Sequence, residues 1–271
     1  MPIRNAATVM LVRDAQTVGA SGPGIEVFML RRTLQAVFAS GMYVFPGGRL
    51  DDVDGGHEME AVCDGLTDAR ASELLQIPSG GLAFWVAAIR ECFEEAGVLL
   101  ARSVDTGAVI RFDDPVVNER FHKARVGIYD SSLDLIQLCE AEGLRLTTDS
   151  IHYTAHWITP LGEARRFDTR FFLARSPQAQ EPLHDDGETI ASLWINPADA
   201  LQQQERGQLM MMPPTMACLK FLADHATADS ALAAAAAIGT PPKILPKRKP
   251  RQPGTRLQIV LPGEPGYDDL T

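Results

Sequence analysis

The chain opens with two short apolar runs, Ala7 to Val12 and Glu26 to Arg31, separated by the Gly- and Pro-containing stretch Gly19 to Gly24. This pattern predicts two strands joined by a long loop. Phe45-Pro46-Gly47-Gly48 is expected to break any regular element, because proline fixes its φ and glycine permits angles that other residues avoid. From Ala83 to Leu100 the residues Trp85, Ala88, Ile89, Cys92, Phe93 and Ala96 recur at spacings of three and four, which predicts an amphipathic helix with Gly97 near its end. The intervening Asp51 to Leu82 has one clear helical stretch, around Asp68 to Gln76, and reads as an insertion.

Pro115 to Gly143 predicts two helices broken near Gly127 to Ser131, with Ser131 or Ser132 as N-cap of the second and Gly143 as its stop. Thr154 to Thr159, Arg166 to Ala174 and Ile190 to Ile195 have the β-branched and aromatic character of strands. Pro197 to Glu205 and Thr215 to His225 read as helices. After Ala226 an alanine-rich stretch gives way to a proline-stiffened basic run with Lys243, Lys247, Arg248, Lys249 and Arg251, then to the strand-like RLQIVLPG. The expected organisation is one domain over 1–225, with an insertion at 51–82 and a helical cap at 115–143, followed by a tail over 226–271.

Composition narrows the function. Hydrophobic residues make up 45% and charged residues 22% of the 271, which suits a folded globular chain and argues against wholesale disorder. The formal net charge of −10 is the wrong sign for binding nucleic acid by phosphate neutralisation, so nucleic acid is not the expected partner. No apolar run is long enough for a bilayer span or a secretory signal, and the end Asp269-Leu270-Thr271 differs from the S-K-L peroxisomal address. The expected location is therefore cytoplasmic. Cys63, Cys92, Cys139 and Cys218 form no C-x-x-C pair, so buried thiols are expected rather than disulfides or a zinc site.

Candidate chemistry concentrates in Arg90-Glu91-Cys92-Phe93-Glu94-Glu95-Ala96-Gly97-Val98. At ~100° per residue, Glu91, Glu94 and Glu95 fall on one face of the helix, opposite Trp85, Ile89, Cys92 and Phe93. Like charges at these spacings repel, and a hard divalent cation would relieve them. A solvated acidic face is the other reading of three glutamates alone.

R-E-x-x-E-E-x-G followed by an aliphatic residue resembles the second half of the box of the Nudix hydrolases, G-x5-E-x7-R-E-U-x-E-E-x-G-U, and Phe45-Pro46-Gly47-Gly48 resembles the loop that begins it. The box is split here: Arg90 lies 42 positions after Gly48 rather than 14, an insertion of 28. Counting back from Arg90 for the earlier glutamate reaches Leu82, and counting forward from Gly48 reaches Asp54, a substitute for it. The runs His156-Trp157-Ile158-Thr159-Pro160, Arg166 to Phe172 and Glu188 to Leu201 resemble the Nudix branch that includes the peroxisomal coenzyme A diphosphatase of animals. Arg32, Thr33, Gly41 and Phe45 to Gly48 fall on the register of a coenzyme A motif of that family, from which Val37 and Phe28-Met29-Leu30 depart.

The resemblance implies a Nudix α/β/α sandwich with a mixed sheet, a helical insertion within the box and a helical cap. It implies Mg²⁺- or Mn²⁺-dependent hydrolysis of a nucleoside diphosphate linked to another group, foremost coenzyme A or an acyl-coenzyme A, giving 3′,5′-ADP and a phosphopantetheine. NADH, ADP-ribose or a nucleotide sugar is the alternative substrate, and a nucleotide-sensing module without catalysis the alternative class. Glu91, Glu94 and Glu95 are expected to hold the metal, with Glu94 and Glu95 catalytic and Arg90 orienting a neighbouring glutamate. The general base is expected in the loop His184-Asp185-Asp186-Gly187-Glu188, with Glu188 first. Arg32, Gly47 and Gly48 are expected at the substrate. Arg166 and Arg170 are expected there too, or else paired with Asp168, and His156 is expected to be structural. The early strands and helical insertions offer a homodimer contact.

Overall fold

The computed structural model describes residues 3–15, 24–36, 39–185, 187–249 and 258–270. Val37, Asp186, Arg251 and most of the expected loop after Gly19 lie outside them. In chain order the structure runs β1 (Arg4–Asp14), β2 (Ile25–Arg32), β3 (Tyr43–Val44), β4 (Gly47–Arg49), α1 (His57–Ala61), α2 (Asp68–Leu75), α3 (Leu82–Ala96), β5 (Ala101–Ser103), α4 (Pro115–Tyr129) and α5 (Leu135–Glu142). It continues with β6 (Leu144–Leu146), β7 (His152–Ile158), β8 (Phe167–Arg175), β9 (Thr189–Ile195), α6 (Pro197–Glu205), α7 (Pro213–Ala223), α8 (Ala228–Ile238), β10 (Lys243–Ile244), β11 (Lys247–Arg248) and β12 (Ile259–Val260).

An eight-stranded mixed sheet orders its strands β10-β7-β8-β1-β2-β3, with β4 also on β1 and β9 also on β2. β1 pairs in parallel with β8 over nine residues and antiparallel with β2 and β4. Side chains alternate across a strand, and each central strand is apolar on both faces, as a sheet covered on both sides requires. Ala7, Val9, Leu11, Phe28, Leu30 and Phe172 face the side of α3, while Met10, Val12, Val27, Met29, Phe171 and Leu173 face α7 and α8. This is a helix–sheet–helix sandwich, with the insertion helices α1 and α2 and the cap helices α4 and α5 on the α3 side.

Several boundaries differ from expectation. Gly47-Gly48 does not end regular structure; only Phe45-Pro46 interrupts it, and Gly47 to Arg49 pair with β1. The second cap helix takes Asp134 rather than Ser131 or Ser132 as N-cap, because Asp134 and Gln137 form a reciprocal capping box. Ser131 instead adopts a left-handed turn, with φ of 61°. α3 is not amphipathic in its surroundings: twelve of its fifteen residues are buried, since the sheet, insertion and cap wrap it from different sides. The alanine-rich stretch placed in the tail forms α8, and Ala228, Ala231 and Ala235 join the core cluster of Trp157, Leu173 and Leu222. All four cysteines are buried and unpaired.

Candidate active site

The register of β4 on β1, Thr8 with Gly47 and Ala7 with Gly48, lays two side-chain-free residues beneath the acidic end of α3. A Cβ on Gly48 would stand 2.5 Å from Cδ of Glu91, so only glycine leaves that carboxylate its place. The Gly47 N–H donates to Glu95 Oε2 at 2.9 Å. Its own missing Cβ would overlap the backbone of Ala7 and Thr8, at 2.5 Å and 2.6 Å. The glycine pair therefore sets the heights of Glu91 and Glu95 over the sheet. Gly97 then ends α3 in a left-handed conformation, its N–H on Phe93 O.

Arg90 fixes the other side. Its side chain is 7% exposed and donates to Asp54 twice, Nε to Oδ1 at 2.7 Å and Nη2 to Oδ2 at 2.8 Å. Nη1 donates to Glu91 Oε1 at 3.0 Å and Glu94 Oε1 at 3.2 Å, and Nη2 to Arg49 O at 2.8 Å. The fork geometry and permanent charge of guanidinium allow this many acceptors at once. Asp54, reached by counting forward from Gly48, is 1% exposed in a 3₁₀ turn at the start of the insertion. It thus stands against the arginine that the insertion separates from it in sequence. Burial raises the Asp54 carboxyl, and the Arg90 guanidinium opposes that.

Burial pushes Glu91 up to about 8, with Arg90 opposing and Glu94 adding to the rise. Burial and the neighbouring charge of Glu91 hold Glu95 well above its ordinary value, and burial also raises Glu94. Crowded carboxylates with too little positive charge are a donor set that fits a hard divalent cation. Among the described residues no three acidic, histidine or cysteine side chains converge into a ready-made cage, because Glu94 is turned to Arg90 and Glu95 to Gly47. The all-oxygen donor set of Glu91, Glu94 and Glu95 fits Mg²⁺ or Mn²⁺ in chemistry.

The family model described as the NUDT19 Nudix domain matches residues 65–222. The chain belongs to this family. Acyl-coenzyme A diphosphatase NUDT19 of Gallus gallus is 26% identical over 252 residues, covering 78% of this chain and 65% of that protein. The Homo sapiens protein of the same name is 27% identical over 267 residues, covering 83% and 69%. The chain thus spans about two thirds of the length of these relatives. The crystal structure of a Nudix hydrolase from Alicyclobacillus acidocaldarius superposes with a TM-score of 0.66 at 28% identity, covering 86% of this chain and 96% of that one.

Around the Nudix helix the other expected residues divide. Arg32 joins the site: Nη1 lies 3.9 Å from Glu95 Oε1 and Nη2 lies 3.4 Å from Glu188 Oε2, so it links the helix to the loop before β9. Glu188 is half-exposed there. Asp185 is a turn former: burial would raise its carboxyl, but donors from Thr189, Glu188 and Gly187 hold it below the usual carboxylate range. Asp186 lies outside the described residues.

Arg166 and Arg170 are not brought to the carboxylates. Arg166 precedes β8 and donates to the carbonyls of Thr159 and Pro160 at 3.1 and 3.2 Å, closing the β7–β8 turn. Arg170 is 4% exposed, bonded to Asp168 and stacked on Phe84, about two turns N-terminal to Glu91 on α3. His156 completes that cluster, Nε2 at 2.6 Å from Asp168 Oδ1. Burial first, then the Arg170 and Lys243 cations, push it down to about 4, so it is neutral at pH 7.

Two contributors carried no sequence signal. Arg125 on α4 donates to Glu94 O at 2.8 Å, Glu95 O at 3.0 Å and Leu183 O at 3.2 Å, placing a cation on the end of α3 where carbonyls lack partners. Tyr129, the last residue of α4, brings its hydroxyl beside Gly187; a methyl on that glycine would touch it at 3.9 Å. Neither belongs to a motif, because both act from the cap, whose position only the fold defines. Among the described residues no helix is long and apolar enough to cross a membrane.

Proposed function

We propose that the protein hydrolyses the diphosphate of a nucleoside diphosphate linked to another group, with coenzyme A or an acyl-coenzyme A as substrate. One observation carries this reading: the insertion of 28 residues leaves the two halves of the Nudix box together, with Arg90 gripping Asp54, Glu91 and Glu94 while Gly47 and Gly48 seat Glu95 and Glu91. The names of the vertebrate relatives favour coenzyme A over other diphosphates.

Glu91, Glu94 and Glu95 would hold Mg²⁺ or Mn²⁺, which supplies charge neutralisation of the diphosphate and acidifies a bound water. Arg90 fixes the orientation of Glu91 and Glu94 and opposes the rise that burial gives their carboxyls. Glu188 takes the proton of the attacking water on a carboxylate oxygen as the new O–P bond forms and the bridging P–O bond breaks. Arg32 balances the charge of Glu95 and Glu188 and offers guanidinium hydrogens to phosphate oxygens.

The test is mass spectrometry of products after incubation with coenzyme A, an acyl-coenzyme A, NADH and ADP-ribose in Mg²⁺ or Mn²⁺, beside Glu94→Gln and Glu95→Gln. Release of 3′,5′-ADP and a phosphopantetheine, lost in both variants, is the expected result. Cleavage of NADH or ADP-ribose alone would replace the substrate and keep the chemistry. Ligand binding without cleavage of any of them would make the domain a nucleotide sensor.

A further inference from the structure

Where the cap meets α3, a cavity of about 280 Å³ opens between the insertion and the α4–α5 turn. Glu94 and Arg90 form one wall, and Tyr129, Ser131, Ser132 and Gln137 of the cap face them. Asp51, Asp54 and Asp134 also line it, and Arg90 is the single cation among its lining residues. That cation is already bonded to Asp54, Glu91 and Glu94. A phosphate placed here would meet carboxylates with no uncommitted positive charge, which costs binding energy. An uncharged arm carrying amides and hydroxyls would meet hydroxyls and a carboxamide, with Met59, Ile128 and Leu135 for its methyl and methylene groups.

Tyr129 stands between this cavity and the loop of Glu188. Tyr129 lines the cavity, and its hydroxyl lies beside Gly187. The charge of Glu188 first, then burial, Asp185 and Glu94, raise the phenol above its ordinary value. The hydroxyl has no hydrogen-bond partner among the described residues.

We propose that this cavity receives the uncharged, amide-bearing arm of the diphosphate substrate, with Tyr129 contacting that arm at the cavity mouth, while the nucleotide arm and its extra phosphate lie outside it. This rests on the hydrolase reading, and it assigns the two ends of the substrate to two sides of Glu94.

The experiment separates the arms by calorimetric titration with the two half-molecules, 4′-phosphopantetheine and 3′,5′-ADP, in the same Mg²⁺ buffer. Ser132→Trp, on an exposed turn, fills the cavity from its rim. It is expected to weaken 4′-phosphopantetheine at least about tenfold and leave 3′,5′-ADP within about twofold. Tyr129→Ala acts in the same direction and Tyr129→Phe falls between, which a merely structural ring would not show. Steady-state kinetics with coenzyme A are expected to show KM rising in Ser132→Trp with kcat little changed. Equal weakening of both half-molecules, weakening of 3′,5′-ADP alone, or no weakening overturns the assignment even if coenzyme A is cleaved. Wild-type protein that cleaves no diphosphate refutes the hydrolase reading separately, and the half-molecule titrations still decide the cavity: 4′-phosphopantetheine binding that Ser132→Trp removes supports it, and no binding overturns it.

Discussion

The guanidinium of Arg90 holds the carboxylate of Asp54, 36 positions earlier in the chain, through two parallel hydrogen bonds at 2.7 and 2.8 Å. Both groups are almost fully buried, so neither can turn to water if the other is removed. Asp54→Ala is expected to lower stability by about 1–3 kcal/mol, because two buried guanidinium hydrogens lose their acceptor while Arg90 keeps Glu91, Glu94 and the Arg49 carbonyl. Arg90→Met combined with Asp54→Leu is expected to lose less stability than Asp54→Ala, and also to lose activity because Glu91 and Glu94 are no longer steered. Urea unfolding of the three proteins checks the order.

Gly47 and Gly48 differ in what a methyl would strike. At Gly48 it meets the movable end of Glu91, so Gly48→Ala is expected to fold and to lose activity by about a hundredfold through displacement of that carboxylate. At Gly47 it meets main chain of β1, and Gly47→Ala is expected to destabilise by about 1–3 kcal/mol. Thermal melts paired with initial rates distinguish the two.

Glu91 gives metal-free stability a pH dependence of predictable sign. Unfolded it titrates near 4.5, folded near 8, so between those values the native state holds a proton that the unfolded chain has released. Stability from this group therefore falls as pH rises from about 5 to 8. Glu91→Gln is expected to gain on wild type over that range. Mg²⁺ or Mn²⁺, binding the ionised form, is expected to raise the wild-type melting temperature more at pH 8 than at pH 6, and not that of Glu91→Gln. Melts in chelator and in metal across pH test both statements.

The helix α8 is expected to belong to the folding unit. Ending the chain at Ala226 would uncover the sheet face around Trp157 and Leu173, whereas ending it after Lys249 keeps α8 and β10 in place. The shorter protein is expected to be insoluble or several degrees less stable, and the longer one to match full length within a few degrees.

The local pattern of the chain determined which segments become strands and helices, because apolar periodicity and cap residues act over a few positions. It also determined the chemistry: Glu91, Glu94, Glu95 and Arg90 lie within one and a half helical turns, so their grouping needs no tertiary information, and Phe45 to Gly48 are legible as a motif. Counting positions brought Asp54 forward as a stand-in for the earlier glutamate. That it meets Arg90 was decided by the fold of an insertion whose own sequence says nothing of its path. Strand periodicity put Arg166, Asp168 and Arg170 on one face but could not say that Phe84 and His156 would close over Arg170, since partners across a sheet are set by register rather than by neighbours in sequence. Tyr129, Arg125 and the cavity beside Glu94 exist only because the cap packs against α3, and the alanines of α8 are core rather than tail only because the sheet offers them a face. What depends on spacing within one element was written in the sequence; what depends on how elements pack was left to the tertiary structure, because burial and charge pairing are properties of surfaces that meet.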